Sequence, residues 1–269
     1  MAKAFSVASW NVEHFQGKKE RVKRVVKFLK DSSPDVFAIF EVKGKDVFAA
    51  MTAEFPGYSF HITEGPQTQE ILVAAKSGLT PFFTQKVEFK GGNPFLRPGA
   101  LLTIQAKSKT YTLLFLHTKS LPDPKGFGLR DFMLEKAIDF NKILKKATGA
   151  QEPNYLFMGD LNTMGMNYKF SKYDIPQTEE IARLDRFCKA RGLRRLSKTF
   201  DETYGNFNRS KPLTSDLDHV VASEHLQFRS LDGKEIKVSG WNDESTLAKK
   251  KAWTEKYSDH NMLYFEVMD

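Results

Sequence analysis

Cysteine is almost missing from this chain, with a single residue, Cys188, among 269. One thiol cannot close an internal disulfide, and it leaves a cysteine-built zinc site short of ligands. Cys188 follows the helically spaced Ile181, Leu184 and Phe187, so it reads as a small core filler. Long apolar runs are missing too. No stretch approaches the roughly 20 residues of a membrane span. The opening Met1-Ala2-Lys3-Ala4-Phe5 has no basic segment leading into an apolar one. The resulting expectation is a cytoplasmic protein with no stable membrane association and the habit of a monomer. Repeats, low-complexity tracts and long linkers are also lacking, so residues 1–269 read as one domain.

What is present is ordinary core material in generous supply. Hydrophobic residues make up 41%, with 23 phenylalanines, enough for a large core without covalent staples. Lys and Arg number 41 against 33 Asp and Glu, a formal charge of +8 that favours a polyanionic partner, nucleic acid first. Much of it sits in Lys18–Arg24 and Lys249–Lys251. On a helix Val22, Val25, Val26 and Leu29 would face inward, which makes the first run a solvated basic face.

Short apolar runs of strand type recur at Phe5–Val12, Val36–Glu41, Ile71–Ala75, Leu101–Ala106, Thr112–His117, Tyr155–Met158, Leu217–Val221 and Leu263–Val267. Helical periodicity predicts helices near Lys19–Lys30, Lys45–Glu54, Leu129–Ala147 and Thr178–Arg191. Hairpin-like pairs, such as the strands flanking Lys107-Ser108-Lys109, alternate with strand–helix–strand units. The pattern is a layered α/β sandwich with mixed sheets.

Polar groups collect where these strands end: Trp10-Asn11-Val12-Glu13, Phe40-Glu41, Leu116-His117-Thr118-Lys119, Gly159-Asp160-Leu161-Asn162, Asp216-Leu217-Asp218-His219 and Ser258-Asp259-His260. Any one of them is ordinary turn chemistry. Six at strand ends describe a built site. Phosphodiester hydrolysis needs an activated water, neutralised phosphate oxygens and a stabilised leaving oxygen. Carboxylate and amide oxygens without thiolates suit a hard ion, Mg²⁺ or Mn²⁺.

In order and spacing, these motifs resemble the endonuclease/exonuclease/phosphatase superfamily from Ser9 to near the last residue. The resemblance implies a four-layer α/β/β/α sandwich with two mixed, mostly antiparallel sheets packed face to face. It implies Glu41 and Asn11 as the metal pair, with Asp259 as a further ligand. Asp160 and Asn162 would orient the attacking water and hold the scissile phosphate. His260 would act as base or phosphate anchor beside Asp218. His117 resembles the second histidine of the deoxyribonuclease I and sphingomyelinase branches, and Glu70 the glutamate that pairs with it. A carboxylate fixes a histidine's tautomer and raises its proton affinity. General acid–base help is worth about 10²–10⁴-fold, so loss of His260 or His117 is expected to cost that much. Two departures stand out. Phe40 precedes Glu41 where the family usually has Gln, and Glu13 is either an extra metal contact or a polar loop residue.

Two segments are expected to line the groove. In Thr203–Arg209, Asn206 and Arg209 suit phosphate contact. Pro122–Arg130, read as a loop, offers Arg130 either to phosphate or as a charge at a helix start, and Lys119, two residues after His117, could touch phosphate. With no apolar membrane finger evident, the leading expectation is a DNA nuclease. The alternatives are a phosphatase or phosphodiesterase on an inositol phosphate or lipid headgroup, and a non-catalytic binding module.

Overall fold

Strict alternation of buried and exposed positions breaks down in most of the strands, because both of their faces are covered. Val36–Val42 and Tyr155–Asp160 are buried almost throughout. The computed structural model describes residues 1–17, 19–43, 45–65, 69–170 and 172–269. Lys18, at the head of the first basic run, lies outside them.

One sheet has seven strands. Its order is Gln227–Phe228, Met262–Met268, Lys3–Phe15, Val36–Val42, Glu70–Lys76 and Tyr58–Ile62, with Lys237–Ser239 also paired to Met262–Met268. The other has six, ordered Phe82–Lys86, Gly99–Ala106, Lys109–His117, Tyr155–Asp160, Asp218–Ser223 and Leu193–Arg195. Each sheet has one parallel pair, Lys3–Phe15 with Val36–Val42 in the first and Lys109–His117 with Tyr155–Asp160 in the second. The other pairings are antiparallel.

The core divides into three apolar layers. The middle one joins Val7, Ala38, Phe40 and Val73 of the first sheet to Leu102, Phe115, Met158 and Val220 of the second, so the sheets pack face to face. Helices α1 (Lys19–Asp31) and α2 (Lys45–Glu54) cover the outside of the first sheet. α1 buries the expected Val22, Val25, Val26 and Leu29, each contributing about 1.5–3 kcal/mol. α3 (Pro124–Thr148) and α4 (Gln177–Lys189) cover the second sheet through Met133, Ala137, Phe140, Leu184 and Cys188. The four-layer α/β/β/α sandwich is therefore the observed fold. Burial pushes the Cys188 thiol up to about 12, which suits a core filler.

Two helices depart from expectation. α3 begins five residues before Leu129, because Asp123 caps it by accepting from the Gly126 N–H at 2.7 Å and Pro124 occupies its first turn. A side chain at Gly126 would place its Cβ 2.3 Å from the Leu121 carbonyl oxygen, so only glycine admits this start. The expected loop at Pro122–Arg130 is mostly helix. α5 (Leu247–Lys256) had no sequence signal, since only Trp253 and Thr254 of it are buried.

Candidate active site

The polar ends of the central strands converge at one edge of the sandwich. A Cβ at Gly159, where φ is 137°, would lie 2.1 Å from the Leu116 carbonyl oxygen and 2.7 Å from the Phe40 ring. Only glycine lets this strand run so close to its neighbours before turning at Asp160. The Asp160 carboxylate then accepts from Asn11 Nδ2 at 2.8 Å and from the Asn162 backbone N–H at 3.1 Å. Asn11 Nδ2 also lies 3.4 Å from Glu41 Oε1, so the ends of three strands share one amide.

The two chain-distant motifs are stitched together. Trp10 Nε1 donates to the His260 carbonyl at 2.9 Å, and Ser258 Oγ donates to the Asn11 carbonyl at 2.7 Å. Four of the nine described non-glycine residues with positive φ sit here: Glu13, His14, Glu41 and Asn162. Each such conformation costs of order 1–3 kcal/mol, and such strain gathers at functional sites.

His260 and Asp218 form a buried pair at 2.8 Å between Nδ1 and Oδ2. Thr203 Oγ1 fixes the carboxylate's strand by accepting from the Leu217 and Asp218 N–H groups. Burial alone would lower the proton affinity of His260, but Asp218 and Asp160 outweigh it and hold the imidazole well above its usual range. The other ring nitrogen, Nε2, lies 3.8 Å from Asp160 Oδ2, a gap that a water or phosphate oxygen can bridge.

His117 is buried as deeply but differently set. Its Nε2 is 3.4 Å from Asp160 Oδ2 and 3.8 Å from Glu41 Oε1, and its buried Nδ1 has no hydrogen-bond partner among the described residues. Burial, with Arg97 and His260 adding to it, keeps this imidazole well below the usual range and hence neutral. The expected Glu70–His117 pair is not formed. Glu70 accepts from Thr63 Oγ1 at 2.5 Å, and Thr63 in turn takes the Ile71 N–H at 2.9 Å, so the strand start captures the carboxylate.

The acids of the cleft crowd one another. Burial pushes Asp160 up to about 7, with His260 opposing and Asp218 adding to the shift. Burial likewise raises Asp259 to about 6, opposed by His260 and reinforced by Glu13 and Glu41. Among the described residues no Lys or Arg makes an ion pair with Glu41, Asp160 or Asp259. Ligand atoms of Asp160, Asp218 and His260 lie within 4.8 Å of one another, close enough to share a cation. His260 Nδ1 is already engaged by Asp218, which leaves His260 Nε2 and the remaining lone pairs of the Asp160 oxygens, each of which already accepts one hydrogen bond. Surplus carboxylate oxygen with amide oxygen nearby is a donor set that fits a hard divalent cation.

The flanking expectations divide. Gly205, Asn206, Phe207 and Asn208 line a cavity of about 370 Å³ together with Glu13 and Asp259. Arg209 is exposed and is not among the cavity's lining residues. Lys119 is half-buried and close enough to depress His117. Arg130 cannot meet phosphate. It is fully buried, and its five donors go to Glu180 twice and to the carbonyls of Lys119, Leu121 and Gly165.

Three residues at or behind the site carried no usable sequence signal. Arg97 donates to Gln69, which itself donates to Glu41 Oε2 at 3.1 Å, and its guanidinium feels Glu41 and Asp160. Arg21, hidden in the basic run, binds the Val12, Glu13 and Tyr257 carbonyls. Lys198 is buried behind Asp218, with its ammonium on Asp216 and on the Asp218 carbonyl.

Comparison with known proteins agrees with this geometry. The model of the Endonuclease/Exonuclease/phosphatase family matches residues 8–260. No curated protein matches the chain in sequence. Among solved structures, truncated Caenorhabditis elegans TDP2 superposes with a TM-score of 0.70 at 16% identity, covering 98% of both chains. D. rerio TDP2 complexed with single-strand DNA product gives 0.66 at 15% identity, over 98% of this chain and 99% of that one. The endonuclease domain of TRAS1, a telomere-specific non-LTR retrotransposon, gives 0.57 at 15%, with the same coverage.

Proposed function

The chain belongs to the endonuclease/exonuclease/phosphatase family, whose members are metal-dependent phosphoester hydrolases, and from that premise we propose that it is a nuclease that hydrolyses DNA phosphodiesters with Mg²⁺ or Mn²⁺. The observation that carries the reading is the Asp160 carboxylate, set between His260 Nε2 at 3.8 Å and His117 Nε2 at 3.4 Å and bonded to Asn11 at 2.8 Å. Glu41, Asn11 and Asp259 would hold the cation, which when bound neutralises charge on the phosphate oxygens.

The chain's own groups then divide the remaining work. Asp160 and the Asn162 amide orient the attacking water and the non-bridging oxygens. His260 takes the water's proton on Nε2 once it is neutral, Asp218 stabilises the imidazolium that results, and as the ester P–O bond breaks the leaving oxygen takes a proton from solvent. His117, neutral and deep, offers a hydrogen bond to a phosphate oxygen and needs no proton transfer. A net charge of +8 supports a polyanionic substrate, as does the DNA product held by the D. rerio TDP2 structure.

The test is a panel of supercoiled plasmid, abasic duplex, single-stranded oligonucleotide, inositol phosphates and bis(p-nitrophenyl) phosphate, each with Mg²⁺, Mn²⁺ or EDTA. Metal-dependent cleavage of DNA is expected. Turnover confined to inositol phosphates would move the substrate to a small molecule, and no metal-dependent turnover of any of the panel would remove the enzymatic reading.

A further inference from the structure

The segment leaving the Asp160–Asn162 turn rises into a short antiparallel loop closed by the Met166–Ile175 bridge, and its tip displays aromatic rings to solvent. Phe170 is 91% exposed, Tyr173 82% and Tyr168 40%. Nothing in the core calls for rings here. Exposed aromatic clusters of this kind mark contact surfaces. Tyr168 and Phe170 meet edge to face, with centroids 6.3 Å apart and planes at 85°, a contact that covers at most one face of one ring. Lys169 and Lys172 are exposed between them.

The tip stands on a buried, hydrogen-bonded root in which Arg130 has a part. The buried Arg130–Glu180 pair grips Gly165 from both sides: Arg130 donates to its carbonyl at 2.8 Å, and Glu180 accepts from its N–H at 2.6 Å. The Asn167 N–H donates to the Pro122 carbonyl at 2.6 Å, and Asp174 Oδ1 accepts from the Tyr168 N–H at 2.7 Å. The loop is thereby tied to the segment leaving His117, where Leu121 is half exposed, and to the turn that carries Asn162.

We propose that this Met166–Ile175 loop is a stacking platform for the bases of single-stranded nucleic acid beside the scissile phosphate. The inference rests on the nuclease reading of the cleft and names the strand form it accepts. Aromatic faces with interleaved lysines suit such a strand, because each base offers a π-face and each linkage a charge. A lipid surface fits less well. Two of the three rings carry hydroxyls, and no aliphatic side chain lies between Asn167 and Asp174 to enter hydrocarbon.

Anisotropy of a labelled twelve-residue oligothymidine, in EDTA to prevent cleavage, reads the platform directly. A strand of equal length with abasic sugars keeps the phosphates and removes the bases. The wild-type protein is expected to bind the oligothymidine about tenfold or more tightly than the abasic strand, a difference of ~1.4 kcal/mol. The double variant Tyr168→Ser, Phe170→Ser should lose that preference while its melting temperature and its affinity for the abasic strand stay unchanged. A wild-type protein indifferent to the bases, or a double variant that keeps the preference, overturns the platform. So does a variant that loses affinity only for phosphatidylserine vesicles, which would assign the tip to membranes. If the base preference behaves as expected but no metal-dependent hydrolysis occurs, the platform stands and the nuclease reading of the cleft fails.

Discussion

Two histidines face the same carboxylate in this cleft, and their surroundings push them in opposite directions. His260 and His117 are both buried, and both point Nε2 at Asp160. His260 has Asp218 on its far nitrogen and holds a proton tightly, whereas His117 has no partner there among the described residues and stays neutral. Desolvation lowers the proton affinity of both rings, so the difference lies in the charges around them: Asp218 and then Asp160 raise His260, whereas Arg97 and His260 push His117 further down. Residue type therefore fixes neither role. The charges around each ring do, and on the proposed reading they leave one imidazole to accept a proton and the other to donate a hydrogen bond.

Removing the paired side should hurt most. His260→Ala is expected to lower kcat/KM by about 10²–10⁴-fold, the worth of general acid–base help. Asp218→Asn should follow at about 10²-fold and move the acidic limb of the pH profile to lower pH, since the charge that raises His260 is gone. A profile that does not move would separate the rate from the pair. His117→Gln should cost only about tenfold, the value of one hydrogen bond to a charged group, and leave the profile in place. Glu70→Gln should change the rate by less than about threefold, because that carboxylate serves Thr63. A loss equal to that of His117→Gln would restore the pairing that the structure does not make.

Stability in EDTA offers a quieter contrast. The folded value of His260 is raised above the ordinary 6.5, so its contribution is full below that pH and fades as pH climbs through the raised value. The folded value of His117 is depressed, so its contribution is present above 6.5 and is lost as pH falls towards the lowered value. Chemical denaturation at pH 5.5 and 8 should show His260→Gln losing more relative stability at the lower pH. His117→Gln should gain there.

Much of this architecture is legible in the sequence because it is local. Val22 to Leu29 announce the inward face of α1, and Gly159-Asp160-Leu161-Asn162 announces a turn only glycine permits. The meeting of Asn11, Glu41, Asp160, Asp218 and His260 follows from motif order, which the resemblance supplied. Long-range capture left no such trace. Glu70 belongs to Thr63, and Arg130 to a glutamate 50 residues away, through contacts that no spacing rule encodes. Arg97 acts on the carboxylates through space from a segment without periodicity, and Arg21 lies among Lys19, Glu20, Lys23 and Arg24, which are exposed. Exposed rings at the Met166–Ile175 tip look in sequence like core material, and only the fold shows them facing outward.

The split between the two imidazoles can be read by ¹⁵N NMR of the histidine rings in the metal-free protein at pH 7, with His260→Gln and His117→Gln used for assignment. One ring, lost in His260→Gln, should show both nitrogens protonated, and the other, lost in His117→Gln, should show the neutral pattern. Two rings in the same protonation state, or the reverse assignment, would contradict the account.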